Sequence, residues 1–251
     1  MSTGLLLLAL VAPSLSLADT DAYVLADAIQ PQLVAANAET FYLACLHRGN
    51  YCVSESVDGG KSFADPVVAI DCRGRARGGA QRGPRLGIDA RGRLTLTAFV
   101  VTDPSEEAQR YPTGELYLAT SSDRGKTWTA PTRINEIEKK APEQLHALAV
   151  SSDGDAHVAW LDLRGRKDAG QDLYYARVHD GKVGKNIKVA ELVCECCAPG
   201  ITVDRSGRVT LAWRAGGAKE NRAILFAQRR TDAADFAAPE HLNLQPSNVA
   251  G

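Results

Sequence analysis

The sequence predicts an all-β fold in which four-stranded antiparallel sheets repeat as the blades of a propeller. Three observations support this prediction. Short apolar runs alternate with period two, turns rich in Asp, Ser and Gly separate them, and the resulting unit recurs along the 251 residues. A sheet with apolar residues on both sides needs a neighbour on each face, and a ring of blades supplies those neighbours.

The first two strands of each unit are visible as an internal repeat. Three segments align without gaps: 86–100, 148–162 and 201–215. In each, a glycine follows an apolar residue by four positions and alternation resumes after it, as expected for two strands joined by a turn with positive φ. A weaker copy at 33–46 carries Glu39 at the glycine position.

A second repeated segment supplies the third strand and the turn that follows it. Residues 50–63 and 115–128 share the pattern S-x-D-x-G-x-[ST]-[FW], whereas 172–184 and 222–236 keep the strand with a degraded turn. A further short β-like run follows each copy. We therefore predict a single propeller domain over 19–251, with blades at about 29–70, 80–135, 142–192 and 196–243.

The shared pattern resembles the Asp box, or BNR repeat, of the sialidase-like β-propellers. The matching residues are Ser56, Asp58, Gly60 and Phe63 in one copy and Ser121, Asp123, Gly125 and Trp128 in the other. The resemblance implies a structural role, in which the carboxylate accepts turn N–H groups, the glycine permits a left-handed residue and the aromatic ring packs between sheets. It also places these turns away from the ligand face, and it extends to a secreted branch with a Cys-rich CxCC segment.

The resemblance does not by itself imply sialidase activity. Family sialidases hold the substrate carboxylate with three arginines, attack with a Tyr–Glu pair and use an Asp as acid/base. Their early R-I-P tripeptide is represented only by Pro84-Arg85-Leu86, and Tyr174 and Tyr175 have no suitably placed Glu nearby. We therefore predict ligand binding without a complete catalytic set. A divergent exo-α-sialidase-type hydrolase is one alternative, and a structural or assembly propeller with a thiol metal site is another.

The starts of the first strands and the loops leaving the second strands are expected to converge on the propeller mouth. The predicted ligand-binding residues there are Arg85, Arg164, Arg214, Arg222 and His146. Converging arginines would bind a carboxylate, sulfate or phosphate, so the expected partner is a glycan or small anionic ligand, with no cofactor. The alternatives are ordinary salt bridges, for example with Asp162, and a His146 that is simply hydrogen-bonded.

The N-terminus predicts export. Residues 1–18 combine an apolar stretch from Leu5 with a small-x-small site that ends at Ala18, as in a secretory signal peptide. The mature protein is then expected in the periplasm or outside the cell, and no stable membrane span is predicted because the apolar run is short.

The formal net charge of −1 and the absence of aromatic residues in the basic run 72–85 argue against binding of nucleic acid.

Six cysteines are divided between the first blade and the start of the last: Cys45, Cys52, Cys72, Cys194, Cys196 and Cys197. The first two are expected to face each other across a hairpin. Disulfides are preferred because they persist in an oxidising compartment, and no resident metal is predicted. The alternative is a soft metal, Cu(I) or Zn, held by the 194–197 cluster together with Cys72 or His146.

The number of blades leaves the closure of the ring open. Four units predict either a four-bladed ring or an incomplete six-bladed propeller, and a six-bladed relative would need about 300 residues or more at this period. Open edges of an incomplete propeller would be covered by self-association.

Overall fold

The computed structural model describes residues 25–79, 81–101, 114–136, 145–164, 170–216 and 223–242. Within these ranges the chain forms seventeen β-strands and no helix, and the strands belong to four antiparallel sheets. Each sheet is one consecutive stretch of chain, and we number the sheets blades 1 to 4 in sequence order. The all-β class and the blade architecture predicted from the sequence are confirmed.

Blades 1 and 2 have four strands each, joined in chain order. Blade 1 consists of β1 (Ala28–Ala35), β2 (Phe41–His47), β3 (Asn50–Ser56) and β4 (Val67–Ile70). Blade 2 consists of β5 (Arg85–Ile88), β6 (Leu94–Val100), β7 (Glu115–Ser121) and β8 (Thr132–Arg133). In the β2–β3 hairpin Cys45 lies opposite Cys52, which is the register predicted for these two residues.

Blade 3 has five strands and blade 4 has four. Blade 3 consists of β9 (His146–Val150), β10 (Ala156–Asp162), β11 (Gln171–His179), β12 (Lys182–Val183) and β13 (Ile187–Val193). Blade 4 consists of β14 (Gly200–Val203), β15 (Val209–Arg214), β16 (Ile224–Arg229) and β17 (Glu240–His241). The additional strand arises because Asp180 and Gly181, both at positive φ, form a tight turn that pairs β12 with β11 before β13 returns along the same strand.

Three apolar clusters hold the blades together, one at each contact between successive blades. Alternation of side chains lets one strand contribute to two clusters. In β10, Val158 and Trp160 pack toward blade 2, whereas Ala159 and Leu161 pack toward blade 4. Both faces of β10 are buried, which explains why its sequence is nearly continuously apolar.

The blades form an arc in the described part of the chain. Contacts join β1 to β5, β5 to β9, and β9 to β14, and no apolar cluster of the described residues joins blade 4 to blade 1. On the outward face of blade 1, Leu33 is 54% exposed. No described segment is a helix long and apolar enough to cross a bilayer.

Candidate functional site

The two turns whose sequences resemble the Asp box, 56–63 and 121–128, have the same hydrogen-bond network. In the second turn, Asp123 Oδ1 accepts from Ser121 Oγ at 2.8 Å and from Thr127 N at 2.9 Å, while Oδ2 accepts from Thr127 Oγ1 at 2.5 Å. Gly125, at φ 81°, donates its N–H to Ser121 Oγ. Trp128 closes the turn by donating Nε1–H to Gly125 O and packs against the cluster between blades 1 and 2.

The first turn repeats this network on blade 1. Asp58 accepts from Ser56 Oγ at 2.8 Å and from the N–H and hydroxyl of Ser62, and Gly60 donates to Ser56 Oγ. Hydrogen bonds from Ser62 lower the pKa of Asp58 to about 2, and those from Thr127 do the same for Asp123. Both turns follow the third strand of their blade, so these carboxylates lie at the end opposite to the mouth.

At the mouth, the end of the blades where the first strands begin, polar contacts join neighbouring blades. Gln32 Oε1 of blade 1 accepts from Leu86 N of blade 2 at 2.6 Å. Arg85, the first residue of β5, donates Nε–H to His146 O of blade 3 at 3.1 Å. Two of the residues predicted to converge here, Arg85 and His146, are thus brought into direct contact.

Arg85 is a half-buried cation that is held by main-chain carbonyls. Besides His146 O, its guanidinium donates to the carbonyls of Gly83 and Pro84, each at 3.2 Å, and of Gln81 at 2.8 Å. Its contacts within the described residues include no carboxylate, and burial alone lowers its pKa. The positive charge of Arg85 is therefore not neutralised by an ion pair in the described part of the mouth.

His146 is placed at the predicted position but is enclosed. Its side chain is fully buried, and its Nε2 lies 3.3 Å from Thr97 O of blade 2. The structure thus gives His146 a bridging position between β9 and β6, and its contribution to the mouth is the carbonyl that receives Arg85.

Arg164 is neutralised by an internal partner. Its guanidinium donates to Asp162 Oδ2 at 2.6–2.7 Å and to Asn186 Oδ1 at 3.1 Å. The same group lies over the Tyr174 ring, 4.1 Å from its centroid, and 5.8 Å from the Trp160 ring. The salt bridge considered as an alternative from the sequence is therefore present, and Arg164 is tied to blade 3.

Arg214 and the thiols of 194–197 form one group, whereas Arg222 lies outside the described residues. Arg214 Nη1 is 3.3 Å from Cys197 Sγ. Cys194 Sγ lies 3.2 Å from Cys197 Sγ and 3.4 Å from Cys196 Sγ. Although burial opposes it, hydrogen bonds from Cys194 and Arg214 lower the pKa of Cys197 below its usual range.

The preferred prediction of disulfides is not realised in this structure, because all six cysteines are free thiols. Cys45 and Cys52 face each other within the buried β2–β3 hairpin, where burial raises the pKa of each to about 11. Cys72 is enclosed in the cluster between blades 1 and 2, where burial raises its pKa to about 12. Neither Cys72 nor His146 joins the 194–197 thiols as the alternative metal site required.

Two tyrosine–glutamate pairs were missed from the sequence. Tyr42 Oη donates to Glu55 Oε1 at 3.0 Å, and Tyr117 Oη donates to Glu115 Oε2 at 3.1 Å. Burial, and then the glutamate, raises the pKa of both tyrosines, which is opposite to the activation of a nucleophile. The register of β2 against β3, which sets Tyr42 opposite Glu55, could have revealed the first pair.

The two tyrosines singled out from the sequence belong to blade packing. The Tyr174 ring stacks near Trp160, with centroids 6.1 Å apart. Tyr175 is buried with its hydroxyl 2.7 Å from His157 Nδ1, and its ring meets Phe236 edge-on.

A cavity of about 580 Å³ lies between blades 3 and 4 at the end opposite to the mouth. The charged residues of its lining are mostly basic: Arg177, His179, Lys182, Lys185 and Arg229, with Asp235. Buried Asp155 neutralises part of this charge, because it pairs with both Arg177 and His179. No sequence motif marked this cleft, since its residues come from two blades.

The fold is similar to that of known propeller enzymes, although no protein-family model and no curated protein match the sequence. The α-L-arabinanase of Penicillium chrysogenum, solved with arabinobiose, is similar with a TM-score of 0.59 and 16% identity, over 89% of this chain and 69% of the arabinanase. The α-L-arabinofuranosidase of Fusarium graminearum gives a TM-score of 0.56 and 14% identity, over 86% of this chain and 66% of that chain.

A Hadza microbial sialidase is also similar, with a TM-score of 0.54 and 17% identity over 80% of this chain. The chain spans 44% of that sialidase, and about two thirds of the two arabinose-processing proteins. At these identities the similarity establishes the fold alone, that of a β-propeller.

Proposed function

We propose that this protein binds a small anionic ligand, an acidic glycan unit, at the propeller mouth, with Arg85 as the principal cationic residue. The observation that carries the proposal is the half-buried guanidinium of Arg85, whose described partners are all carbonyl oxygens. A partly desolvated cation without an ion-pair partner is favourably neutralised by a ligand carboxylate or sulfate.

The hydrogen-bond count limits how the ligand is held. A guanidinium has five N–H donors, and the carbonyls engage at most four of those of Arg85. The ligand is therefore held by charge and one hydrogen bond, unless it displaces the exposed contact to Gln81. This geometry supports modest affinity that weakens as salt is added.

The three other predicted arginines contribute differently to this proposal. Arg164 supports the mouth from within blade 3, because Asp162 already neutralises it. Arg214 is near the same loop, since Gln81, whose carbonyl accepts from Arg85, also accepts through its side chain from Ala198 N beside the thiol segment. Arg222 remains a predicted ligand residue.

The glycan assignment draws on the neighbours of similar fold, whose names describe a sialidase and arabinose-processing proteins. Binding is favoured over hydrolysis because Tyr117, whose pair with Glu115 lies at the mouth end of blade 2, has a raised pKa, and the pair of Tyr42 with Glu55 lies at the opposite end of blade 1. We also propose export, on the signal-peptide pattern of residues 1–18, which lie outside the described residues. An N-terminus at Asp19 in the purified mature protein would support cleavage there, and an intact N-terminus would contradict it.

A thermal-shift and calorimetric panel tests the proposal. The ligands are N-acetylneuraminate, glucuronate and galacturonate, with arabinose and galactose as neutral comparisons. We expect the acidic sugars to raise Tm and the neutral sugars to have little effect.

Arg85→Gln and Arg85→Lys form a matched pair, because both lose the guanidinium fork and only Lys keeps the charge. Gln should weaken binding about 10- to 100-fold, as expected for a charged hydrogen bond, and Lys should weaken it less.

The controls locate the site. Arg91→Ala removes an exposed arginine at the other end of blade 2 and should leave binding unchanged. Loss of binding in Arg229→Gln with full binding in Arg85→Gln would overturn the mouth assignment and move the site to the basic cleft. Release of a fluorophore from a sialoside, abolished in Arg85→Gln, would replace binding with hydrolysis.

A further inference from the structure

The thiols of Cys194, Cys196 and Cys197, which we call the thiol triad, form a compact triangle. Their Sγ–Sγ distances are 3.4 Å for 194–196, 3.2 Å for 194–197 and 3.9 Å for 196–197. A metal ion bound about 2.3 Å from each sulfur holds its thiolates roughly 3.8 to 4.0 Å apart. A disulfide would require a separation of about 2.05 Å. The triangle is thus a few tenths of an ångström from metal-binding dimensions and more than an ångström from any covalent pairing.

The triad lies on a turn that blade 4 holds in place. Cys194 N donates to Arg214 O at 2.9 Å, and Val193 forms a β-bridge with Ala215. Gly216 donates to Leu192 O, and its backbone passes so close that an added Cβ would lie 2.6 Å from Val193 C. The three thiols are therefore presented by a fixed segment between β13 and β14.

The far end of the turn is also anchored. Cys197 N donates to Cys194 O at 3.4 Å, and Ala198 N donates to Gln81 Oε1 at 3.1 Å. The Cys196 side chain is exposed, whereas Cys194 and Cys197 are half-buried. An ion can therefore reach the triad from solvent while two of its ligands remain packed.

The chemistry of the ligand set favours a soft ion. Three sulfur atoms and no oxygen or nitrogen ligand make up the group among the described residues. Thiolates select Cu(I) and Zn(II), whereas Mg²⁺ and Ca²⁺ require oxygen ligands. Arg214 Nη1, 3.3 Å from Cys197 Sγ, places a positive charge against the negative charge that a metal–thiolate group would carry.

From this geometry we propose that the thiol triad binds one thiophilic metal ion, Cu(I) in three-coordinate form or Zn(II) with solvent as its fourth ligand. Arg214 is a positioning residue of this site, because it contacts a ligand sulfur and its carbonyl fixes Cys194. This metal site and the anion site proposed at Arg85 use different side chains. Gln81 contacts both Arg85 and Ala198, which follows the thiol triad.

Metal titration of the reduced full-length chain tests the proposal. Zn(II), or Cu(I) under anaerobic conditions, is added to the apoprotein, and bound metal is counted by mass spectrometry after desalting. We expect one equivalent. Co(II) should give a near-ultraviolet thiolate-to-metal band, and metal should protect these thiols from alkylation. The extent of binding with each ion distinguishes Cu(I) from Zn(II).

Variants identify the ligands. Cys196→Ser changes an exposed side chain, so it should fold normally and weaken metal binding about 100-fold or more, beyond the 10- to 100-fold typical of an outer-sphere partner. Arg214→Ala should weaken binding about 10-fold, and Arg214→Lys should restore part of it. The double variant Cys45→Ala/Cys52→Ala removes two buried thiols elsewhere and should keep one equivalent. Absence of metal from reduced wild-type protein, or equal binding by Cys196→Ser, would overturn the proposal.

Discussion

Asp58 and Asp123 are partly exposed, acidic and repeated, which are features that a search for catalytic carboxylates would favour. Their pKa values are lowered to about 2, chiefly by hydrogen bonds from Ser62 and Thr127. A carboxylate that stays ionised throughout the neutral range is a poor general acid, and each of these already accepts three hydrogen bonds from its own turn. Their role at the residue scale is to hold the turn.

The arginines show how similar residues acquire different roles through their partners. Arg164 lies beside Asp162 and over Tyr174, so its charge is used inside blade 3. Arg85 meets only carbonyl oxygens among its described partners, so no described ion pair neutralises its charge. The sequence offered Asp162 as an alternative partner for Arg164, whereas the contact of Arg85 with His146 depends on the packing of β5 against β9.

His157 predicts a pH dependence of stability. It is buried on β10, and burial chiefly lowers its pKa to about 4, with Arg177 and Arg229 acting in the same direction and Asp155 opposing them. Its folded pKa is below the unfolded value of about 6.5. Neutral His157 therefore stabilises the protein above pH 6.5, and this contribution is lost as the pH falls toward 4.

We expect wild type to lose about 2 to 3 kcal/mol more than His157→Gln between pH 7 and pH 4.5, measured by urea unfolding. The glutamine keeps a hydrogen-bonding side chain near Tyr175 but has no titrating group. If the free energy of unfolding of the two proteins changed in parallel with pH, His157 would not titrate in this range. His179→Gln serves as a control, because hydrogen bonding to Asp155 raises the pKa of that exposed histidine.

At the scale of elements, the packing of β5 against β9 positions Arg85 over His146. Gly87 allows this approach, since a Cβ at that position would lie 2.4 Å from Val150 Cγ2. The residue is important for its small size, because it is not among the glycines with positive φ. One methyl group here would separate the first strands of blades 2 and 3.

We expect Gly87→Ala to lower the free energy of unfolding by about 1 to 3 kcal/mol through overpacking. Combining it with Val150→Ala vacates the required space, so the double variant should recover most of that loss beyond the effect of Val150→Ala alone. Chemical denaturation of the four proteins in this cycle gives the coupling energy. Additive losses would show that the strands do not compete for this space.

At the scale of the whole molecule, the arc exposes an apolar residue on its first blade. Leu33 lies on the face of β1 opposite to Val34, which packs against the cluster between blades 1 and 2. The expectation that open propeller edges associate stays a prediction.

Sedimentation velocity over a range of concentrations measures that association. We expect wild type to gain mass with concentration and Leu33→Glu to remain monomeric without loss of stability, because that side chain is about half exposed. Val57→Glu is the control, since Val57 is 60% exposed in the turn 56–63, outside β1. A wild type that stays monomeric throughout would refute self-association.

The sequence by itself determined the class of fold, the repeating blade and the roles of Asp58 and Asp123. These depend on local rules: period-two alternation selects strands, and a short Ser–Asp–Gly pattern closes a turn within eight residues. The hairpin register that sets Cys45 opposite Cys52 is equally local, because a short connection fixes the pairing.

The tertiary structure alone decided which arginine forms an ion pair and which thiols meet. Arg85 and His146 are 61 residues apart in sequence, and the contact between Ala198 and Gln81 spans 117 residues. The thiols are close in sequence, yet their orientation depends on Arg214 at the end of β15 and on Gly216 just after it. Whether a charge is compensated, and how the thiols are arranged, depends on neighbours that are distant in sequence. The periodicity of one strand carries no information about these neighbours.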